Sequence, residues 1–295
     1  MAEFKITCCS TVDMPAEYLQ IRDIPYLYYH FEMDGVEYPD DLGETMPFSE
    51  FYARIDAGSM PVTSQVNVKA YLNLFESFLE NGIDVIHLAM SSGISGSANS
   101  ARIAQEELRP KYPDRKLYVV DTLCVCAGYG LLIDTVWTMK EKGATIDEVH
   151  EWAEANKLNS HHWFYAANLT HLWRGGRVSR ASAVVGSLLK IIPLLNVSYE
   201  GKLIPREKIR GKKHVINAIF EKMKTHARDG KNYNGKCMIA HSAVPDEAET
   251  LAAMVRAEFK RLDGEVQITS IGKVIGSHTG PGTVALFFWG DKRVD

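Results

Sequence analysis

The chain lacks an apolar run long enough to cross a bilayer. Its best stretch, Ala181 to Val197, is broken by Lys190 and Pro193, whereas a spanning helix needs about 20 consecutive apolar residues. The opening MAEFKITCCS carries Glu3 and Lys5 and has no basic start followed by a long apolar segment, so no secretory signal is read. Cytoplasmic residence without stable membrane insertion is the expectation. Charge of one sign is not in excess either: 33 Lys and Arg stand against 37 Asp and Glu, a formal charge of −4. That balance gives no general attraction to phosphate backbones, so a nucleic-acid partner is not expected.

Cysteine is scarce and odd in number. The five include adjacent Cys8 and Cys9 and a Cys124-x-Cys126 pair, which make neither a disulfide framework nor a zinc knuckle. Reduced thiols follow. Several chemical signatures are missing too. There is no His-x-x-x-His pair and no Gly-x-Gly-x-x-Gly fingerprint, since Gly128-x-Gly130 meets Ile133 at the third position. Metal and dinucleotide readings lose their support, and neither a metal nor a cofactor is expected.

What is present is a folded protein. The 295 residues, 46% hydrophobic and 24% charged, can bury one large α/β core or two smaller ones. In the first half, short apolar runs alternate with helical patterns: strands at Phe4 to Cys8, Asp84 to Ala89 and Lys116 to Val120, and helices at Asn67 to Asn81, from near Ser97, and at Val125 to Lys142. That alternation predicts a mainly parallel sheet flanked by helices. Thr145 is placed to cap a helix over Ile146 to Lys157.

The polar Asn159-Ser160-His161-His162 marks the expected boundary, giving an N-terminal α/β domain over 1–160 and a C-terminal α+β domain over 161–295. The second half reads as strand His162 to Ala167, helix Ala181 to Leu189, strand Ile191 to Val197, a turn at Tyr199 to Lys202, helix Lys212 to His226, strand Lys236 to Ala240, helix Pro245 to Arg261 and two final strands. Ligands of α/β sheets dock at strand ends and helix starts, and four polar clusters fall at such places.

In Pro61-Val62-Thr63-Ser64-Gln65, two hydroxyls precede a helix and either cap it or turn outward to an anion. The run Ser91-Ser92-Gly93-Ile94-Ser95-Gly96-Ser97 is an anion cradle in sequence form or a plain strand-to-helix turn. It is not a P-loop, because no Gly-Lys-Ser/Thr follows. Nor is it a nucleophile elbow, because Ser97 stands where the last glycine is required. Arg174-Gly175-Gly176-Arg177 can clamp an anion, dock a partner or form a solvated turn. In Gly276-Ser277-His278-Thr279-Gly280, His278 is expected on a glycine-hinged loop. No carboxylate lies inside the clusters, so the set is rich in donors and poor in bases, and it holds an anion better than it transforms one.

In this order, the segments Ser10-Thr11-Val12-Asp13-Met14, Pro61 to Gln65, Ser91 to Gly96, Val120-Asp121 with Gly128-Tyr129-Gly130, Arg174 to Ser179 and Gly276 to Gly282 resemble the DegV family nearly end to end. The resemblance implies a bacterial two-domain protein that binds a long-chain fatty acid without catalysis, in a tunnel at the domain junction. It implies that the carboxylate is held by Thr63 and Ser95, with Ser64, Ser92, Gly93, Gly96, Ser277, His278 and Thr279 as neighbouring ligand-binding positions. Arg174 and Arg177 would support the site or dock a partner. Some members present the acid to a separate fatty acid kinase, which would be the partner here. Where the family has Asp-Ser-Thr after the first strand, this chain has Cys9-Ser10-Thr11, and Cys124 and Cys126 replace serines.

The energetics suit that reading. A tail of about fifteen methylenes, at about 0.8 kcal/mol each, offers on the order of 12 kcal/mol before ordering costs. The tail supplies affinity. Hydroxyl and amide donors at a helix start then orient the head group without a buried lysine. Two alternatives stay open: a hydrolase or phosphotransferase pairing Ser95 with His278 on a small acyl or phospho substrate, and a regulatory protein that docks partners through Arg174 to Arg177.

Overall fold

The computed structural model describes residues 3–167, 169–179 and 191–294. The first half builds a four-stranded, all-parallel sheet in the order β2-β1-β6-β7, from β1 (Phe4–Cys9), β2 (Tyr26–Leu27), β6 (Asp84–Ala89) and β7 (Leu117–Asp121). β1 and β6 are buried throughout, the pattern of a sheet covered on both faces. Helices α1 (Ala16–Ile21), α3 (Val68–Leu79), α4 (Ser97–Leu108), α5 (Cys126–Glu141) and α6 (Ile146–Asn156) accompany it. Thr145 caps α6 as the sequence predicts, and Glu148 completes a reciprocal capping box with it.

The second half forms a six-stranded mixed sheet in the order β10-β9-β8-β13-β11-β12. Its strands are β8 (Ser160–Tyr165), β9 (Ile191–Val197), β10 (Leu203–Arg210), β11 (Cys237–His241), β12 (Gln267–Ser270) and β13 (Val284–Trp289). Only β11 and β12 pair in parallel. α7 (Thr170–Arg174), α8 (Lys212–His226), α9 (Pro245–Glu258) and α10 (Lys273–Thr279) complete it. The expected helix at Ala181 to Leu189 lies outside the described residues.

α5 is buried from Cys126 to Asp134 because it packs against both halves. Gly130 lets it approach Met14, and Gly128 lets it approach His162 and Phe287, where a Cβ would fall 2.2 Å from the imidazole. One apolar core therefore runs from Phe4 to Trp289. Arg293 adds a polar tie between the halves. Its buried guanidinium donates to the carbonyls of Leu123 and Lys157 on one side and of Val197 and Ser198 on the other, at 2.9–3.2 Å.

Between residues 30 and 64 lies a unit outside the expected strands and helices: an antiparallel sheet of β4 (Val36–Pro39), β3 (His30–Met33) and β5 (Val62–Ser64), with α2 (Phe48–Asp56) beside it. Phe31, Met33, Met46, Phe51, Tyr52 and Ile55 form its own small core. Two expectations are corrected here. Thr63 and Ser64 belong to a strand rather than a cap, because Asn67 accepts the Ala70 N–H at 2.9 Å and caps α3 itself. His278 sits on helix α10, not on a loop. The glycines allow close packing there, since a Cβ on Gly276 would fall 2.4 Å from the Tyr52 hydroxyl.

Candidate ligand-binding site

The site begins where β1 and β6 part. Their pairing runs from Phe4↔Asp84 to Thr7↔His87, and continued parallel register would let the Cys9 N–H donate to the Leu88 carbonyl. The Tyr129 hydroxyl takes that place instead. It accepts from Cys9 N at 3.1 Å and donates to Leu88 O. Strand ends that diverge in this way open the crevice in which α/β proteins bind ligands.

Beyond it lies a cavity of about 390 Å³, within the range of about 300–1,000 Å³ typical of small-molecule sites. Apolar side chains from both halves line it, among them Met90, Val125, Phe164, Leu172, Val197 and Phe287. Two pairs of its polar groups meet across the wall. Thr63 Oγ1 lies 2.8 Å from His278 Nε2, and Ser95 Oγ lies 3.1 Å from the Tyr29 hydroxyl. Arg177 links them. Its Nε donates to Ile94 O at 3.2 Å, beside Ser95, and its charge acts on both Tyr29 and His278.

Each group is held for a stated reason. Ser95 Oγ accepts the Ser97 N–H at 3.2 Å, at the start of α4. Ser97 Oγ in turn meets the Tyr71 hydroxyl at 2.7 Å, and Tyr71 meets Cys9 Sγ at 3.2 Å. Cys8 and Cys9 are fully buried, and burial pushes the Cys9 thiol up to about 12, so these cysteines are thiols rather than thiolates. Burial, followed by the charges of Arg177 and His171, pushes His278 down to about 4, so its ring is neutral at pH 7.

α10 is positioned by buried acids. Its N-cap is Gly272, which has no side chain to offer, and Asp40 Oδ1 accepts the Lys273 N–H at 3.3 Å instead. Lys273, with no exposed surface, reaches Asp41 at 2.8 Å and the Met46 carbonyl at 3.1 Å. Burial first, then the neighbouring Asp40, raises the Asp13 carboxyl well above its usual range. Gly272 is required here, because a Cβ would fall 2.3 Å from Asp13 Oδ1.

The predicted site residues separate into two groups. Thr63, Ser64, Ser95, Arg177, His278 and Thr279 line the cavity. Ser92, Gly93 and Gly96 face an adjoining open depression that shares Ser95 and Arg177 with it. The Ser277 hydroxyl donates to its own helix at Lys273 O, 2.7 Å away, and is not in the wall. Arg174 is exposed, with Nη1 3.0 Å from Met60 Sδ. Tyr29, Gln65 and His162 also line the cavity and were not anticipated. The hydrolase reading needs a contact between Ser95 and His278, but each of those side chains pairs with a different hydroxyl.

The fold and site thus define a two-unit α/β protein whose halves together enclose a cavity, apolar along one stretch and ending in hydroxyls, an imidazole and the Arg177 guanidinium. The chain belongs to the DegV family: the family model described as "Uncharacterised protein, DegV family" matches residues 3–291. A DegV domain-containing protein of Clostridium perfringens is 40% identical over 293 residues, 99% of each chain. A Thermotoga maritima protein named Fatty acid-binding protein is 36% identical over 286 residues, 95% of each. Among solved structures, a DegV lipid binding protein from Thermotoga maritima superposes with a TM-score of 0.82 at 32% identity, covering 99% of both chains. A Thermus thermophilus DegV protein described for fatty acid binding gives 0.86 at 26% identity, covering 98% of this chain and 99% of that one. Among the described residues, no helix is long and apolar enough to cross a membrane.

Proposed function

We propose that this protein binds one long-chain fatty acid, without catalysis of its own, and holds the carboxylate at Thr63 and Ser95. The observation that carries the reading is the single cavity wall that is apolar along Met90, Val125, Phe164 and Phe287 and ends in the Thr63–His278 and Ser95–Tyr29 pairs. Relatives named for fatty-acid and lipid binding support it. In the tautomer that carries its proton on Nε2, the neutral His278 ring donates to Thr63, whose hydroxyl then keeps its own proton for an anion. The carboxylate is then met by donors and leaves no unpaired buried charge.

The finer reading is a cytoplasmic carrier, divided near residue 160, that presents the carboxylate to a separate kinase. Arg174, exposed beside the turn that holds Arg177, is the docking position in that reading. Solvent extraction of gently purified protein followed by mass spectrometry is expected to release a fatty acid. Empty protein that also fails to bind added palmitate or oleate refutes the binding function. Reconstitution with a fatty acid kinase and ATP tests the carrier role separately.

A further inference from the structure

We propose that His161, His226 and Asp291 form a binding site for one divalent transition-metal ion of the imidazole-preferring class, with Zn2+ as its representative. The three residues come from β8, the last turn of α8 and the segment after β13. Their sequence separations of 65 and 130 positions follow no local spacing rule.

The donor atoms lie together. Asp291 Oδ1 is 2.8 Å from His161 Nε2 and 3.2 Å from His226 Nδ1, and one ligand atom from each residue falls within 4.8 Å of the others. A tetrahedral ion with metal–nitrogen bonds of about 2.0–2.1 Å sets its donors roughly 3.3 Å apart. The His161 and His226 rings lie 20° from parallel, so the His226 ring, 29% exposed, must turn out of the stack to aim its lone pair at the ion, and the Asp291 side chain, 62% exposed, follows it.

The backbone under the site is fixed. Asp291 N–H donates to His226 O at 3.0 Å, Arg228 N–H to Trp289 O at 3.1 Å, and Gly290 N–H to Asn159 O at 2.8 Å. Gly290 is needed for this approach, since a Cβ would fall 2.3 Å from His226 O and 2.7 Å from the His161 ring. The His161 ring stacks between Phe288 and His226, at 5.2 and 5.0 Å. Its Nε2 proton, donated now to the Asp291 main-chain carbonyl at 2.9 Å, leaves to solvent when the ion takes its place. Two imidazoles and a carboxylate leave the fourth corner to water, on the side where His226 and Asp291 reach the surface. A bound ion would tie the segment carrying Arg293 to both β8 and α8.

The test uses chelator-treated, untagged full-length protein titrated with Co2+ as a spectroscopic probe and then with Zn2+ as competitor. One equivalent of Co2+ is expected, displaced by Zn2+ and accompanied by a rise in Tm. His226→Ala, at a half-buried position, and Asp291→Asn, at an exposed one, should each weaken binding by roughly tenfold or more. Two results overturn the proposal: no saturable binding at micromolar metal, or the same stoichiometry and affinity in both variants, which would place the ion elsewhere.

Discussion

The hydroxyl of Thr63 and Nε2 of His278 lie 2.8 Å apart, although 215 positions separate them in the chain. The contact joins the small antiparallel sheet to α10 and creates half of the polar end of the cavity. Thr63→Val keeps the shape and removes the hydroxyl, and Ser95→Ala does the same for the other pair. Each is expected to weaken fatty-acid binding about tenfold, the equivalent of about 1.4 kcal/mol, because the tail carries most of the affinity. Displacement of a fluorescent fatty acid measures this. Unchanged affinity in both variants would move the carboxylate elsewhere.

Gly175 offers a sharper probe of His278. A Cβ there would fall 2.0 Å from Nδ1 of the ring, whereas one on Gly176 would meet nothing within 4 Å. Gly175→Ala should therefore displace the imidazole and reduce affinity by roughly tenfold, at a stability cost of about 1–3 kcal/mol. Gly176→Ala, strained only by its φ of +74°, should cost about 1 kcal/mol and leave affinity alone. Equal affinity in the two variants would remove the ring from the binding site.

Lys273 is a buried cation facing Asp41 directly, with Asp40 near its backbone. Lys273→Met leaves those carboxylates without their counter-charge and is expected to destabilise the fold by about 3–5 kcal/mol, read by urea denaturation. Adding Asp41→Asn to Lys273→Met should recover part of the loss. A single variant within about 1 kcal/mol of the parent would show that the ion pair contributes little.

Acid should weaken the protein. Burial pushes His87 down to about 3 and His161 and His278 to about 4, and it lowers His162 as well. An unfolded histidine takes its proton near about 6.5, so the unfolded chain binds protons first as pH falls. Stability from these rings is full above about 6.5 and is lost toward about 4. Asp40, raised by burial to about 6, and Asp13, raised by burial and Asp40, act in the opposite direction. Their contribution is present below about 3.9 and is lost as pH rises through their folded values. The imidazoles outnumber them, so urea midpoints should fall from pH 7 to 5.5 to 4.5. Midpoints that rise over this range would contradict the assignment.

Much of this architecture was legible because single segments announce it. β6 and α8 match their expected bounds, and Thr145 caps α6 through Glu148, three residues on. The region around Tyr29 was harder to read. Asp34-Gly35, at φ 54° and 79° between Met33 and Val36, is a hairpin signal in the sequence. It could have located β3 and hence the cavity wall beside it. Other features leave no local trace. Asp40 caps a helix that starts 233 positions later, and Tyr29 reaches Ser95 across 66. Such pairs exist only once the chain has closed on itself. Ser277 shows the converse: a hydroxyl within a plausible motif is spent on its own helix backbone.

The phenol of Tyr129, inserted between Cys9 and Leu88, makes the gap between two neighbouring strands a matter of one ring's reach rather than of sheet twist. The same sheet is thereby zipped where it needs rigidity and unzipped where it meets the cavity, with no peptide group left thirsty at the fork. Shortening or lengthening that one spacer would retune the mouth without touching anything a ligand contacts.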